Sequence, residues 1–333
     1  MHFLWDKAVF ARWSLRPHLG LARFVCGLLI ASSVGVGARA AENPCLERVI
    51  AVSVLTNDGK RLKGLKAENF RCKVNRRPVD VLSATYDTGP RRALIVLDAS
   101  GSAGDNWKFE LAVAERLVSQ AEQQTSFALV TFADQVQEKV SFGEGRQAVM
   151  NRLRTLKSAK PWGKTALRDA MVEAVRMLCP ARVGDGIVVI GDRGENGSRT
   201  KESELRRRIL GAGVRVFAFL VLTPLPSRTR APEEAVGVAA LNEFVETTGG
   251  AGVLAVASSD PDRAASSVRY LEQQIAEFYR LDLRLPEPLE KPRKVKLEVV
   301  DPTRAEKPNL RIICPRQLPP ASWMLQPEEP SRF

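Results

Sequence analysis

The residues best suited to chemistry lie in the segment Ala93-Leu-Ile-Val-Leu-Asp98-Ala-Ser100-Gly-Ser102. An apolar run ends at Asp98, and two serines follow at alternate positions on a loop before a helix. The D-x-S-x-S spacing sets one carboxylate and two hydroxyls on the same side of that loop. All three are hard oxygen donors, suited to Mg²⁺, Mn²⁺ or Ca²⁺ rather than to zinc or copper. Two more residues fit the same role. Thr165 stands in Trp162-Gly-Lys-Thr165-Ala-Leu-Arg-Asp169, directly before another predicted helix. Asp192 ends the run Ile187-Val-Val-Ile-Gly-Asp192, and the polar stretch Arg193-Gly-Glu-Asn-Gly-Ser-Arg follows it. Each residue also has a structural rival reading. Ser100 and Ser102 compete with Asp105 and Asn106 to cap the helix ahead, and Thr165 is placed to cap its own. Asp98 and Asp192 suit strand-end turns.

The elements that must position these groups follow from hydrophobic patterning. Apolar runs without alternation at 94–97, 127–132, 187–190, 214–222 and 253–257 predict strands buried on both faces. Helical spacing links Leu111, Ala114, Leu117 and Val118 near 106–123, and Leu167, Met171, Val175 and Leu178 near 166–179. Val268, Leu271, Ile275 and Phe278 predict a third helix near 261–280. Alternating strands and helices imply a doubly wound, mainly parallel α/β sheet covered on both sides. In such sheets ligands bind at the carboxyl ends of the strands. Residues 135–142 predict an antiparallel edge hairpin after the Ala133-Asp134 turn.

Strand patterns also flank this core, at 47–56, 70–74 and 79–86 before it and at 280–285, 295–300 and 310–314 after it. The economical expectation is one small β domain built from both flanks, with the α/β domain inserted. Two separate β appendages are the alternative. The expected boundaries are 41–90 for the first β segment, 91–279 for the α/β domain and 280–316 for the second β segment. A loose Pro- and Glu-rich tail at 317–333 completes the chain.

The motifs taken together resemble a von Willebrand factor type A domain with a metal-ion-dependent adhesion site. The chain more closely resembles exported bacterial members of the acidobacterial type, which carry a G-L-x-x-E-x-F stretch, here Gly64-Leu-Lys-Ala-Glu68-Asn-Phe70. The resemblance covers roughly 46–316 and implies a Rossmann-like domain. It implies that Ser100, Ser102 and Thr165 donate hydroxyl oxygens to a divalent cation, Mg²⁺ first and Mn²⁺ or Ca²⁺ next. Asp98 and Asp192 act largely through water and balance charge. An acidic side chain of a protein partner fills the open coordination position, so binding and not turnover is the implied activity. Lys164 and Arg193 stand where the family often has glycine. They weaken a cation by repulsion yet attract an acidic partner. The rival reading is a metal-free module that binds an anionic partner through Lys164 and Arg193.

Composition narrows the other classes. The chain has 333 residues, 44% hydrophobic and 26% charged, an ordinary globular balance. Five basic residues and the single acid Asp6 lie in 1–40, with an apolar run at 24–36 and Ala38-Arg39-Ala40 after it. That is the pattern of a secretory signal peptide cleaved after Ala40. It predicts a secreted or periplasmic protein with no membrane span after cleavage, an uncleaved N-terminal anchor being the alternative. Cleavage lowers the net charge from +12 to +8 and removes both histidines, His2 and His18. A mature chain without histidine excludes Ser-His-Asp and Cys-His catalysis and His-ligated metals. The basic run 199–208 has no interleaved aromatics, so nucleic acid is not an expected partner. The even set Cys45, Cys72, Cys179 and Cys314 permits disulfides in three connectivities, with Cys179 alternatively a buried thiol.

Overall fold

A computed structural model describes residues 45–192, 194–222, 232–257, 264–300 and 309–324. The expected signal peptide and Arg193 lie outside the described residues.

Among the described residues the strands form two sheets. The first is antiparallel and draws on both ends of the chain. It contains β1 (Glu47–Thr56), β2 (Phe70–Val74), β3 (Arg77–Asp87), β10 (Phe278–Arg284), β11 (Arg293–Val299), β12 (Leu310–Ile313) and β13 (Gln317–Leu318), in the order β12-β1-β10-β3-β2-β11-β13. The two flanks therefore share one sheet, with β10 between β1 and β3. Its core joins Ile50, Val52, Phe70, Cys72, Tyr279, Leu281 and Leu297. The Tyr279 hydroxyl ties in the connection after β1. It accepts from Leu65 N and donates to Leu62 O, both at 3.0 Å.

The second sheet contains β4 (Arg91–Asp98), β5 (Thr125–Phe132), β6 (Val136–Val140), β7 (Gly186–Gly191), β8 (Arg215–Leu222) and β9 (Gly252–Val256), in the order β6-β5-β4-β7-β8-β9. Every pairing is parallel except the edge hairpin of β6 on β5. Side chains of β4 serve both faces, which is why its run lacks alternation. Leu97 and Ile95 pack with Leu111, Val149 and Val268 of α1 (Trp107–Gln120), α2 (Gly145–Thr155) and α6 (Ala265–Ala276). On the other face Val96 and Val189 pack with Met171, Ile209 and Phe244 of α3 (Leu167–Leu178), α4 (Glu202–Ala212) and α5 (Pro232–Thr248). The parallel strands run in the order second, first, third, fourth, fifth. Their connections leave β4 and β7 in opposite directions, and the crevice of such a fold opens at that switch point. Asp98 ends β4, and Asp192 directly follows β7.

The two sheets meet where the chain passes between them. Asp87 at the end of β3 pairs in register with Phe278 at the start of β10, so entry to and exit from the α/β domain are side by side. Phe278 is not the last turn of a long helix, as its spacing with Ile275 suggests. Helix α6 stops at Ala276, and the Phe278 ring lies under two guanidinium groups, Arg91 at 4.4 Å and Arg215 at 4.5 Å. Arg91 pairs with Asp87 at 2.7 Å. Arg215 is fully buried and donates to the carbonyls of Gly184, Gln274 and Ile275. Both cations thus replace lost water with fixed acceptors and aromatic faces.

Other expectations change. Helix α2 was not legible, because Val149 and Leu153 are its sole fully buried apolar residues among many polar ones. Residues 317–324, expected as part of a loose tail, form β13 and a single helical turn, Ala321–Trp323, against α4. Cys179 is exposed at the C-cap of α3 and not buried, whereas Cys72 is buried in the first sheet. The four cysteines form no disulfide with one another.

Candidate metal centre

The five residues singled out by type and spacing come together at the switch point. Asp98 and Ser100 are buried, and the backbone N–H of Ser100 donates to Asp98 Oδ1 at 2.8 Å, a tight turn that follows directly from the strand end. The hydroxyls form a chain. Thr165 Oγ1 donates to Ser100 Oγ at 3.0 Å, and Ser100 Oγ lies 3.0 Å from Ser102 Oγ. The carboxyls of Asp98 and Asp192 share a side-chain hydrogen bond. Asp192 is oriented by the N–H of Gly194, which donates to its Oδ1 at 3.0 Å.

The capping rivals do not hold. Ser100 precedes the 3₁₀ turn Gly101–Asn106 without a side-chain cap bond, and Asn106 makes none at the start of α1. The N-cap of α3 is Ala166, so Thr165 does not spend its hydroxyl there. The loop after β7 caps α3 instead. Glu195 Oε2 and Ser198 Oγ each accept from Arg168 N at 2.9 Å, and Asn196 Oδ1 accepts from Thr165 N at 2.9 Å. Asp169 answers by accepting from Arg199 N and Thr200 N. The described residues of this loop, 194–200, are half-buried or exposed. The loop nevertheless supplies the N-terminal cap of α3 from elsewhere in the chain, and it locks Thr165 to the segment that carries Asp192.

Two glycines are required by close approach. A Cβ on Gly191 would stand 2.6 Å from the Cβ of Asp98, and one on Gly194 would stand 2.9 Å from Thr165 Oγ1. Both make room for site side chains, and spacing alone did not mark them.

The electrostatics are acidic. Burial, and next the charge of Asp192, hold the Asp98 carboxyl above the usual carboxylate range. A third acid, Glu110 in the first turn of α1, is fully buried, and neither of its oxygens has a hydrogen-bond partner. Burial first, then the charges of Asp98 and Asp192, push its pKa well up. Spacing could have revealed Glu110, because it occupies the apolar stripe of Ala114 and Leu117 at helical intervals. Among the described residues no three His, Cys, Asp or Glu side chains are grouped as a ligating cluster. The donor set is two carboxylates and three hydroxyls, which suits a hard, hydrated dication.

The rim is partly apolar and partly basic. Trp162 is 63% exposed, on a loop pinned to the site by Trp162 N donating to Ala99 O and Gly101 N donating to Gly163 O. Lys164 is exposed beside it.

Residues 93–195 match the family model of the von Willebrand factor type A domain, a span that starts in β4 and contains all five site residues. The chain carries a von Willebrand factor type A domain. This type A domain is a protein-interaction module. No curated protein matches the chain. Solved structures similar to it include BatB from Bacteroides thetaiotaomicron, 17% identical with a TM-score of 0.43, covering 55% of this chain and 96% of that one. A von Willebrand factor type A protein from Catenulispora acidiphila is 11% identical with a TM-score of 0.41, covering 82% and 74%. Proximal thread matrix protein 1 from the mussel byssus, with a zinc-occupied adhesion-site motif, is 17% identical with a TM-score of 0.44, covering 60% and 50%. Among the described residues of the type A domain and its flanking sheet, no helix is long and apolar enough to cross a membrane.

Proposed function

We propose that the protein is an exported, non-enzymatic binding module whose type A domain engages an acidic residue of a protein partner through a divalent cation. The reading rests on one observation. The hydroxyls of Thr165, Ser100 and Ser102 run in a chain at 3.0 Å steps beside the paired carboxyls of Asp98 and Asp192, and none of the three hydroxyls caps a helix. Ser100, Ser102 and Thr165 would hold the ion, Mg²⁺ by hardness, with Mn²⁺ or Ca²⁺ as close substitutes. Asp98 and Asp192 would balance its charge and orient its waters. The bound ion supplies a position that a carboxylate oxygen of the partner can complete. The chain's own rim does the rest, because Lys164 attracts an acidic segment and the exposed Trp162 offers an apolar anchor of the kind that dominates interfaces. The basic, apolar and small-residue pattern of 1–40 supports export with cleavage after Ala40.

The metal-free alternative uses Lys164 and Arg193 alone. It gives the buried Asp98 and its neighbour Asp192 no role beyond their strand-end turns, so the metal reading is preferred. Calorimetric titration of the protein with Mg²⁺ and Mn²⁺, beside Asp98→Ala, separates the two. The expected result is saturable binding that the variant loses. Absence of binding at millimolar metal, or equal binding by both proteins, overturns the proposal.

A further inference from the structure

Among the described residues, Glu110 is the acid whose position its surroundings least explain. It sits in the first turn of α1, just after the loop that carries Ser100 and Ser102. Its side chain is fully buried, and both carboxyl oxygens lack a hydrogen-bond partner. A carboxylate so placed is among the least favourable side chains a protein interior can hold, unless an opposite charge lies near. The charges that bear on it are those of Asp98 and Asp192, which repel it. Two other buried charged residues have partners for their charge. Asp185 receives Arg92 and the N–H of Arg182, and Arg215 has its carbonyls. Glu110 is also not grouped with Asp98 and Asp192 closely enough to form a ligating cluster. It therefore acts on an ion by its field and not by coordination.

We propose that Glu110 is a third anionic group of the cation site, placed behind the coordinating residues to raise the site's affinity for a divalent cation. This rests on the site reading given under the proposed function. A dication among Asp98 and Asp192 is the opposite charge that the burial of Glu110 lacks. In a low-dielectric interior an anion several ångströms behind the ligands still contributes strongly to binding. Three acids facing one dication also leave the occupied site anionic, so the exposed Lys164 at its mouth offsets charge where the partner approaches.

The test is Mn²⁺ titration calorimetry with thermal melting in chelator, on the wild-type protein, Glu110→Gln, Glu110→Leu and Asp98→Ala. The expected result is wild-type binding that weakens on the order of tenfold or more in Glu110→Gln. The metal-free variant should melt at the same temperature as wild type or higher, because an unpaired buried charge is gone. Glu110→Leu should behave alike. Mn²⁺ binding that is equal in wild type and Glu110→Gln overturns this inference and leaves the site reading standing. Weaker binding together with a lower melting temperature in both variants marks a structural role for Glu110 and also overturns it. Absence of wild-type binding overturns the site reading and this inference together.

Discussion

Asp98 ends a strand buried in the middle of the sheet, and its carboxyl faces that of Asp192. Two acids so placed are held together by a shared proton or by a cation. The consequence is a definite pH dependence. An unfolded aspartate titrates near about 3.9, whereas burial and the charge of Asp192 bring folded Asp98 to about 7. The folded state holds this proton more tightly than the unfolded one. Its stabilisation is complete below the unfolded value and is lost as pH rises through the folded value. In chelator the melting temperature should therefore fall between pH 5 and pH 8 by more than it does in Asp98→Asn, as followed by differential scanning fluorimetry. Mn²⁺ should restore it at pH 8, where protons no longer compete. Equal pH profiles for the two proteins would count against the acid pair. At this scale the candidate site residues were legible in the sequence, because D-x-S-x-S and Asp192 are hard donors at strand ends and Thr165 is one directly before a helix. Glu110 was not singled out. Its helical spacing on the stripe of Ala114 and Leu117 marks it as a buried acid, and the charges of Asp98 and Asp192 that bear on it give that burial its meaning.

The elements around the site are joined by side chains that reach across sequence. The loop after β7 caps α3 through Glu195, Asn196 and Ser198, and Asp169 of α3 holds that loop in return. This reciprocity explains why a T-A-L-x-D run and a polar loop nearly thirty residues later behave as one unit. It could not be read from the sequence, because a polar loop and a cap from a distant segment look alike in composition. Periodicity located the buried strands and helices α1 and α3 well. It failed where tertiary contacts override spacing. Phe278 continues the helical pattern of α6, but its pairing with Asp87 and its place between Arg91 and Arg215 draw it into β10. Replacing this fully buried ring, Phe278→Ala, should cost about 3–5 kcal/mol in chemical denaturation. The ring forms the seam between the two sheets, so a loss under about 1 kcal/mol would show that the seam is not a point of stability.

Across the whole molecule, the first sheet takes strands from both flanks of the chain, and the type A domain is a long insertion that leaves and re-enters it at one point. Entry and exit lie side by side at Asp87 and Phe278. The bracketing strands were legible from their alternation. Their union into one sheet followed from economy alone until β10 was seen between β1 and β3. The order β5-β4-β7 then places Asp98 and Asp192 where a sheet of this kind binds ligands. The most direct test of a cation at that point is an anomalous difference map from crystals of the protein soaked in Mn²⁺. The expected result is a single strong peak about 2.1 Å from the hydroxyl oxygens of Ser100 and Ser102, with Asp98 and Asp192 around its waters. A map with no peak there, or with its strongest peak elsewhere on the molecule, would contradict a metal-dependent site.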